Sequence, residues 1–152
     1  MKKIRGFEPV EDWAKRTDGV EVQLPTRADI GSAGYDFYAK KDYVCEPNNV
    51  TKIWSDVKAY MQNDEVLLLD VRSSMGGKFR LANTIGIIDS TYYSNEDNDG
   101  NIGIFLVNTT DEPISIKQGE RVAQGIFMKY LIVDNDCPLS NIRLGGWGSS
   151  GK

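Results

Sequence analysis

The sequence predicts an all-β domain, a jelly-roll-like antiparallel β-barrel with little helix. Three observations carry this expectation. Apolar runs of strand length recur along the chain, separated by glycine, proline, asparagine and aspartate. No helical pattern of about 10–15 residues alternates with them, which argues against a parallel βαβ sheet. Fifteen glycines and seven tyrosines in 152 residues suit a compact β-rich protein better than a helical bundle.

Residues 1–19 are polar and mixed in charge and read as an N-terminal extension. Within them, residues 9–16 predict about two helical turns, with Pro9 near the start and acids preceding bases. Residues 20–141 form the expected barrel domain. Its first strand candidate, 21–24, alternates polar and apolar side chains. Segments 50–54, 57–61, 66–71 and 102–107 are apolar runs of strand length, 114–116 alternates, and 122–133 is long and largely apolar. The acidic stretch 94–100 reads as an exposed hairpin loop. Residues 142–152 are rich in glycine and serine and read as a flexible C-terminal arm. There is no internal repeat.

The chain contains no histidine, which removes more functions than any other feature. A Ser-His-Asp triad, a Cys-His pair, an HExxH zinc helix and a histidine proton shuttle are all impossible. Acid–base chemistry near pH 7 must use carboxylates, Lys, Tyr, Cys or metal-bound water. The net charge of −4 argues against a duplex DNA binder, so no nucleic-acid partner is expected. No apolar run approaches the roughly 18 residues of a membrane helix, and no signal-peptide pattern opens the chain. Cys45 and Cys137 lie far apart and cannot make a zinc site alone; two reduced thiols in a cytoplasmic protein is the plainer reading.

Five segments are more specific than ordinary turns, although each has an ordinary reading. In 32–39, Asp36 follows a glycine inside an aromatic run; alone, it is an outward-facing aspartate at a strand entry. In 70–77, Arg72, Ser73 and Ser74 offer a guanidinium fork, hydroxyls and backbone N–H groups to phosphate oxygens. The same serines also suit a helix N-cap, and both roles are compatible. In 83–92, an apolar run delivers Asp89 to a strand end, three residues before Tyr92. An ionised carboxylate there can orient and deprotonate a water, or it is a turn aspartate beside a packed tyrosine. In 119–125, Arg121 and Gln124 sit where a turn enters the long strand, or are simply solvated. In 143–152, an Arg and a Trp are embedded in a tail that would otherwise read as an idle linker.

Taken in this order, the five segments resemble the five motifs of the homotrimeric dUTPase family, over about residues 24–152. The matching pieces are Ala33-Gly34-Tyr35-Asp36, Arg72-Ser73-Ser74, the run from Gly86 through Asp89 to Tyr92, Arg121-Val122-Ala123-Gln124, and the glycine-rich arm. The resemblance implies a homotrimer with active sites between subunits, the C-terminal arm of each chain covering a site built by its neighbours. It implies hydrolysis of dUTP to dUMP and pyrophosphate, assisted by Mg2+. By resemblance, Asp89 binds the sugar 3′-hydroxyl and activates the attacking water. Asp36 and Gln124 hold the magnesium–triphosphate unit through water only. Arg72, Ser73 and Ser74 contact the phosphates, with Ser73 nearest the scissile bridge. Ser73 as a covalent nucleophile is disfavoured, for no histidine or other base is assigned to it.

The hairpin 86–92, including Gly86 and Ile88 and with Asn83 at its root, is expected to read the uracil edge. Tyr92 is expected to lie beneath the deoxyribose and leave no room for a 2′-hydroxyl. Trp147 stands where the family usually has Phe and is expected to stack on uracil. Arg143, Gly148, Ser149 and Ser150 are expected to reach the phosphates. The sequence departs from the family in a longer loop at 93–99, in Thr91 where Asp is frequent, and in one residue fewer between Arg143 and the Gly-Gly pair. Two other readings stand beside this one: a dCTP deaminase-like enzyme of the same fold, and a dUTP-gated regulatory protein that binds a protein partner through the 95–99 insert.

Overall fold

The computed structural model describes residues 2–140, 143 and 145–148. Twelve strands are present among them: β1 (Gly6–Pro9), β2 (Thr26–Arg27), β3 (Tyr35–Tyr38), β4 (Tyr43–Cys45), β5 (Val50–Trp54), β6 (Val57–Tyr60), β7 (Glu65–Asp70), β8 (Phe79–Leu81), β9 (Gly86–Asp89), β10 (Gly103–Asn108), β11 (Ile114–Ile116) and β12 (Arg121–Lys129). Three short 3-10 turns, Asp12–Ala14, Ser73–Met75 and Ser90–Tyr92, are the helical content of the described residues. All strand pairs are antiparallel.

The strands fall into four sheets, ordered β2-β3-β12-β7-β9, β5-β10-β8, β11-β4 and β1-β6. The expected all-β antiparallel architecture is present, but hydrogen bonding does not close the sheets into one continuous barrel. Alternation on β7 sends Leu67 and Leu69 inward. They meet Phe37 of β3, Val122 of β12 and the nearly continuous apolar run of β10, including Ile104 and Leu106. Among the described residues no helix is long and apolar enough to cross a membrane. Both cysteines are free; Cys45 is buried and Cys137 exposed.

The N-terminal segment is not the predicted two-turn helix. Pro9 ends β1 and pairs with Val57, and only Asp12–Ala14 makes a 3-10 turn. A short polar helix nucleates poorly, and here tertiary partners take its backbone groups instead. The N–H groups of Arg16 and Thr17 donate to the Asp56 carboxylate at 2.8 and 3.2 Å. Phe7 packs edge-on to Tyr35 and Phe37, at centroid distances of 5.4 and 5.6 Å. Val10 and Ala14 are buried. Residues 7–17 are therefore part of the domain's packing.

Segment 21–24 forms no strand, for no neighbouring strand pairs with it; Val22 still packs against the core. Strand β12 stops at Lys129, opposite Glu65, where β7 begins and pairing runs out. Beyond it Leu131, Ile132 and Val133 are exposed.

The acidic loop is the largest correction. Asn95, Asn98 and Asp99 are buried, not solvated. Asn95 Oδ1 accepts the N–H groups of Asp97 and Asn98, while its amide donates to Tyr92 O and Asn98 Oδ1. Asp99 pairs with Lys58 at 2.8 Å and accepts the Glu11 N–H at 2.8 Å. Every buried polar atom named here has a partner, which is what makes burial of so polar a loop tolerable. Tyr93, next in line, donates to Glu8 at 2.7 Å; burial and that carboxylate push its hydroxyl up to about 12. The loop thus rests on the N-terminal segment.

Candidate active site

Strand register brings the first cluster together. Gln124 on β12 stands opposite Asp36 of β3 on one side and Asp70 of β7 on the other. Asp36 is buried and held by two guanidinium groups, Arg72 Nε at 3.1 Å and Arg121 Nη1 at 3.4 Å. The Gln124 amide donates to Val71 O at 3.2 Å. Gly34 is required by this packing, because a Cβ there would lie 2.2 Å from Gln124 Oε1 and 3.1 Å from its Cβ. Gly34→Ala should therefore displace Gln124 and lower kcat/KM about tenfold or more, with a small change in Tm.

The chain then leaves β7 and enters the turn Ser73–Met75, pinned by buried Met75, with Ser73 and Ser74 exposed. Arg72 Nη1 donates to Ser74 Oγ at 3.3 Å. A cavity of about 460 Å³ lies beside them, lined among others by Arg72, Ser74, Lys78 and Arg121. Three cations and exposed hydroxyls are a suitable lining for phosphate oxygens. Lys78 was not anticipated from sequence, where a lone lysine after two glycines carries no signal.

The second cluster is built on β9. Gly86 pairs with Leu69 and Asp89 with Val66. A Cβ on Gly86 would come within 2.9 Å of Leu69 Cβ, so the glycine lets the hairpin lie flat on β7. Ile88 points inward, Ile87 outward, and Asp89 is half-exposed at the strand end. Tyr92 is buried; its hydroxyl donates to Asn101 O at 2.7 Å and accepts from Asn98 at 2.9 Å. Burial raises that hydroxyl above its ordinary value, partly offset by the Asn98 amide and the Arg143 charge, so Tyr92 stays neutral and serves as a packed wall. Between Asn83, Gly86, Ile88 and Tyr92 lies a cavity of about 130 Å³. An apolar cavity of about 150 Å³ accommodates a benzene ring, so this one suits a single pyrimidine.

The described arm residues lie against the chain's own hairpin. Arg143 Nη2 is 3.4 Å from Asp89 Oδ2, and its guanidinium sits over the Tyr92 ring at 5.5 Å. Trp147 stacks on Phe105, with centroids 4.5 Å apart and planes at 21°. Gly148 also lines the cavity. Ser149 and Ser150 lie outside the described residues.

The two clusters sit at opposite ends of β7. Asp89 stands opposite Val66, whereas Gln124 stands opposite Asp70. Four residues of strand separate them by about 13 Å along β7. Within one chain, Asp89 and the Asp36–Arg72–Gln124 cluster are not brought together.

A ring-sized slot and a cationic, hydroxyl-bearing pocket on one antiparallel scaffold have the chemistry of a nucleotide-binding protein. The dUTPase family model matches residues 20–151. The deoxyuridine 5′-triphosphate nucleotidohydrolase of Lactococcus lactis is 41% identical over 152 residues, covering 98% of this chain and 99% of the relative. That of fowlpox virus is 32% identical over 132 residues, covering 86% and 87%. The crystal structure of dUTPase from Streptococcus mutans superposes with a TM-score of 0.74 at 38% identity, covering 85% of this chain and 98% of the other. The chain belongs to the dUTPase family and is a dUTP diphosphatase. The dCTP deaminase alternative is not favoured by these matches.

Proposed function

We infer that the chain works in the cytoplasm as a homotrimer whose active sites are completed between subunits. The observation that carries this is the separation of Asp89 from the Asp36–Arg72–Gln124 cluster along β7. A second copy placing its hairpin over this chain's phosphate pocket reunites them. The exposed run Leu131, Ile132 and Val133 supplies apolar surface for such a neighbour to cover.

Strand β9 is the outer strand of its sheet, so alternate backbone N–H and C=O groups face away from β7. These groups complement the alternating acceptors and donor of a uracil edge. Cytosine reverses part of that pattern and leaves buried groups unpaired. Buried Tyr92 forms the floor against which a 2′-hydroxyl is excluded.

The donor set also fits magnesium of a particular kind. Asp36 is already paired with two arginines, and among the described residues no group of three His, Cys, Asp or Glu makes a metal cage. Such residues suit an ion that keeps its waters and rides on the triphosphate, with Asp36 and Gln124 holding it through water. When bound, magnesium supplies charge neutralisation on the phosphates. Asp89 orients the attacking water and accepts its proton. Arg72, Ser73 and Ser74 steady the phosphate chain, so that the water meets the α-phosphorus in line with the leaving pyrophosphate.

Subunit complementation tests this reading. Homotrimers of Asp89→Asn and of Arg72→Ala should both be nearly silent in pyrophosphate release from dUTP. Mixed trimers should recover about a quarter of wild-type activity, the random fraction of interfaces with both residues intact. Mixtures as silent as the parents would place each site within one subunit.

A further inference from the structure

Residues 93–101, the segment that the family's five motifs leave without a role, fold back around Tyr92. Two groups of this segment hold the Tyr92 hydroxyl, which donates to Asn101 O at 2.7 Å and accepts from Asn98 Nδ2 at 2.9 Å. The backbone carbonyl of Tyr92 accepts from Asn95 Nδ2 at 2.8 Å. The tyrosine held in this way lines the pyrimidine-sized cavity. We propose that Asn98 is a positioning residue for substrate selection: it pins the Tyr92 ring at its hydroxyl end, and the pinned ring is what rejects a ribonucleotide.

Backbone groups fix the direction of each bond. Asn101 O can only accept, so the single hydrogen of the Tyr92 hydroxyl goes to it, and the hydroxyl oxygen accepts from Asn98. Gly100 N–H can only donate, so Asn98 Oδ1 faces it at 3.0 Å and Nδ2 is left for Tyr92. The same Oδ1 accepts a second bond from Asn95 Nδ2 at 2.8 Å. Gly100 has a φ of 90°, and a Cβ there would lie 3.0 Å from Tyr92 O, so this glycine lets the segment close on the tyrosine. Asn101 is anchored in turn, its amide donating to Asp56 Oδ1 and Ala14 O. Asn95, Asn98 and Asp99 are thus buried in contacts within the chain rather than displayed to a protein partner.

Pinning matters because a 2′-hydroxyl is small. A tyrosine fixed only at its Cβ can shift within its rotamer, and a slight tilt makes room for one extra oxygen. With the hydroxyl held as well, the tilt breaks buried hydrogen bonds and leaves their partners unpaired. Bulk alone requires only the ring; pinning requires the hydroxyl and the amide that faces it.

The inference rests on the reading that Tyr92 is the floor beneath the deoxyribose, and the experiment separates the two. The quantity measured is the ratio of kcat/KM for dUTP over UTP in the full chain. Asn98→Ala should lower that ratio about three- to tenfold, the range for one hydrogen bond, chiefly through faster use of UTP. Affinity for a non-hydrolysable α,β-imido analogue of dUTP should stay within about threefold of wild type. A merely structural asparagine would slow both substrates in parallel, and an unchanged ratio overturns the proposal. Tyr92→Phe keeps the ring and the frame of the loop but deletes the pinned atom, so it carries the test should Asn98→Ala fold poorly. It should relax the ratio by a similar factor, and the double variant should relax it no further than either single change. A wild-type ratio in Tyr92→Phe also overturns the proposal. Tyr92→Ala is the control for the underlying reading. If it alone relaxes the ratio, only the pinning fails; if it too leaves the ratio unchanged, Tyr92 is not the floor and both fall.

Discussion

Replacing Asp89 with Asn should lower turnover of dUTP by about a thousandfold while leaving nucleotide affinity within about tenfold of wild type. The amide has the size of the carboxylate and can still hydrogen-bond a sugar hydroxyl, so binding is largely kept. What it loses is the capacity to take a proton from water as the oxygen attacks phosphorus. The chain offers no substitute, since it contains no histidine and Tyr92 is a buried, neutral hydroxyl already engaged on both sides. The fold should not suffer. Asp89 is half-exposed and its contact with Arg143 is at 3.4 Å, a surface pair of the kind that contributes about 0–1 kcal/mol. Single-turnover hydrolysis, paired with calorimetric binding of the imido analogue, separates the two effects. Near-normal single-turnover rates would remove Asp89 from proton transfer and leave it a ligand of the sugar.

Those site residues were legible because each sits in a short local pattern. A glycine before Asp36, two hydroxyls after Arg72 and an apolar run ending at Asp89 survive as text, whatever the chain does elsewhere. The strands β5, β6, β7, β10 and β11 were legible for the same reason, as apolar or alternating runs between turn residues. What was not legible depends on partners distant in sequence. Residues 95–99 read as solvated because all five are Asn, Asp or Glu. Their burial depends on Lys58 in the middle of β6 and on a backbone N–H from Glu11, which no local window contains. Residues 9–16 showed helix-end signals at Pro9 and at the acids, yet Phe7, Val10 and Ala14 found a sheet and a core to cover instead. The separation of the two clusters was equally invisible, since it arises from register: Asp89 and Gln124 stand against opposite ends of β7.

The buried charge at Asp56 should be the most sensitive position for stability. It is fully buried and receives four partners: Lys40 Nζ at 2.8 Å, Asn101 Nδ2 at 2.8 Å, and the N–H groups of Arg16 and Thr17. Asp56→Ala leaves the buried Lys40 ammonium without its counter-ion and strips the acceptor from two backbone donors. Breaking one side of a buried pair costs about 3–5 kcal/mol. Asp56 also has a φ of 56°, where Asp is tolerated and Ala is strained by about 1 kcal/mol. For a chain of this size the sum predicts a fall in Tm of about 10 °C or more. Lys40→Met combined with Asp56→Asn removes both charges and should recover much of the loss, which distinguishes an orphaned charge from lost packing. The same network ties residues 14–17 to Asn101, whose carbonyl accepts the Tyr92 hydroxyl. Loosening it should therefore reach the pyrimidine slot before the fold is lost. In Asp56→Asn, hydrogen exchange should rise first at Arg16 and Thr17, and KM for dUTP should rise at temperatures where the protein is still folded. A Tm within about 3 °C of wild type for Asp56→Ala would mean that the N-terminal segment is held by Phe7 and Val10 alone, and that the charges are incidental to it.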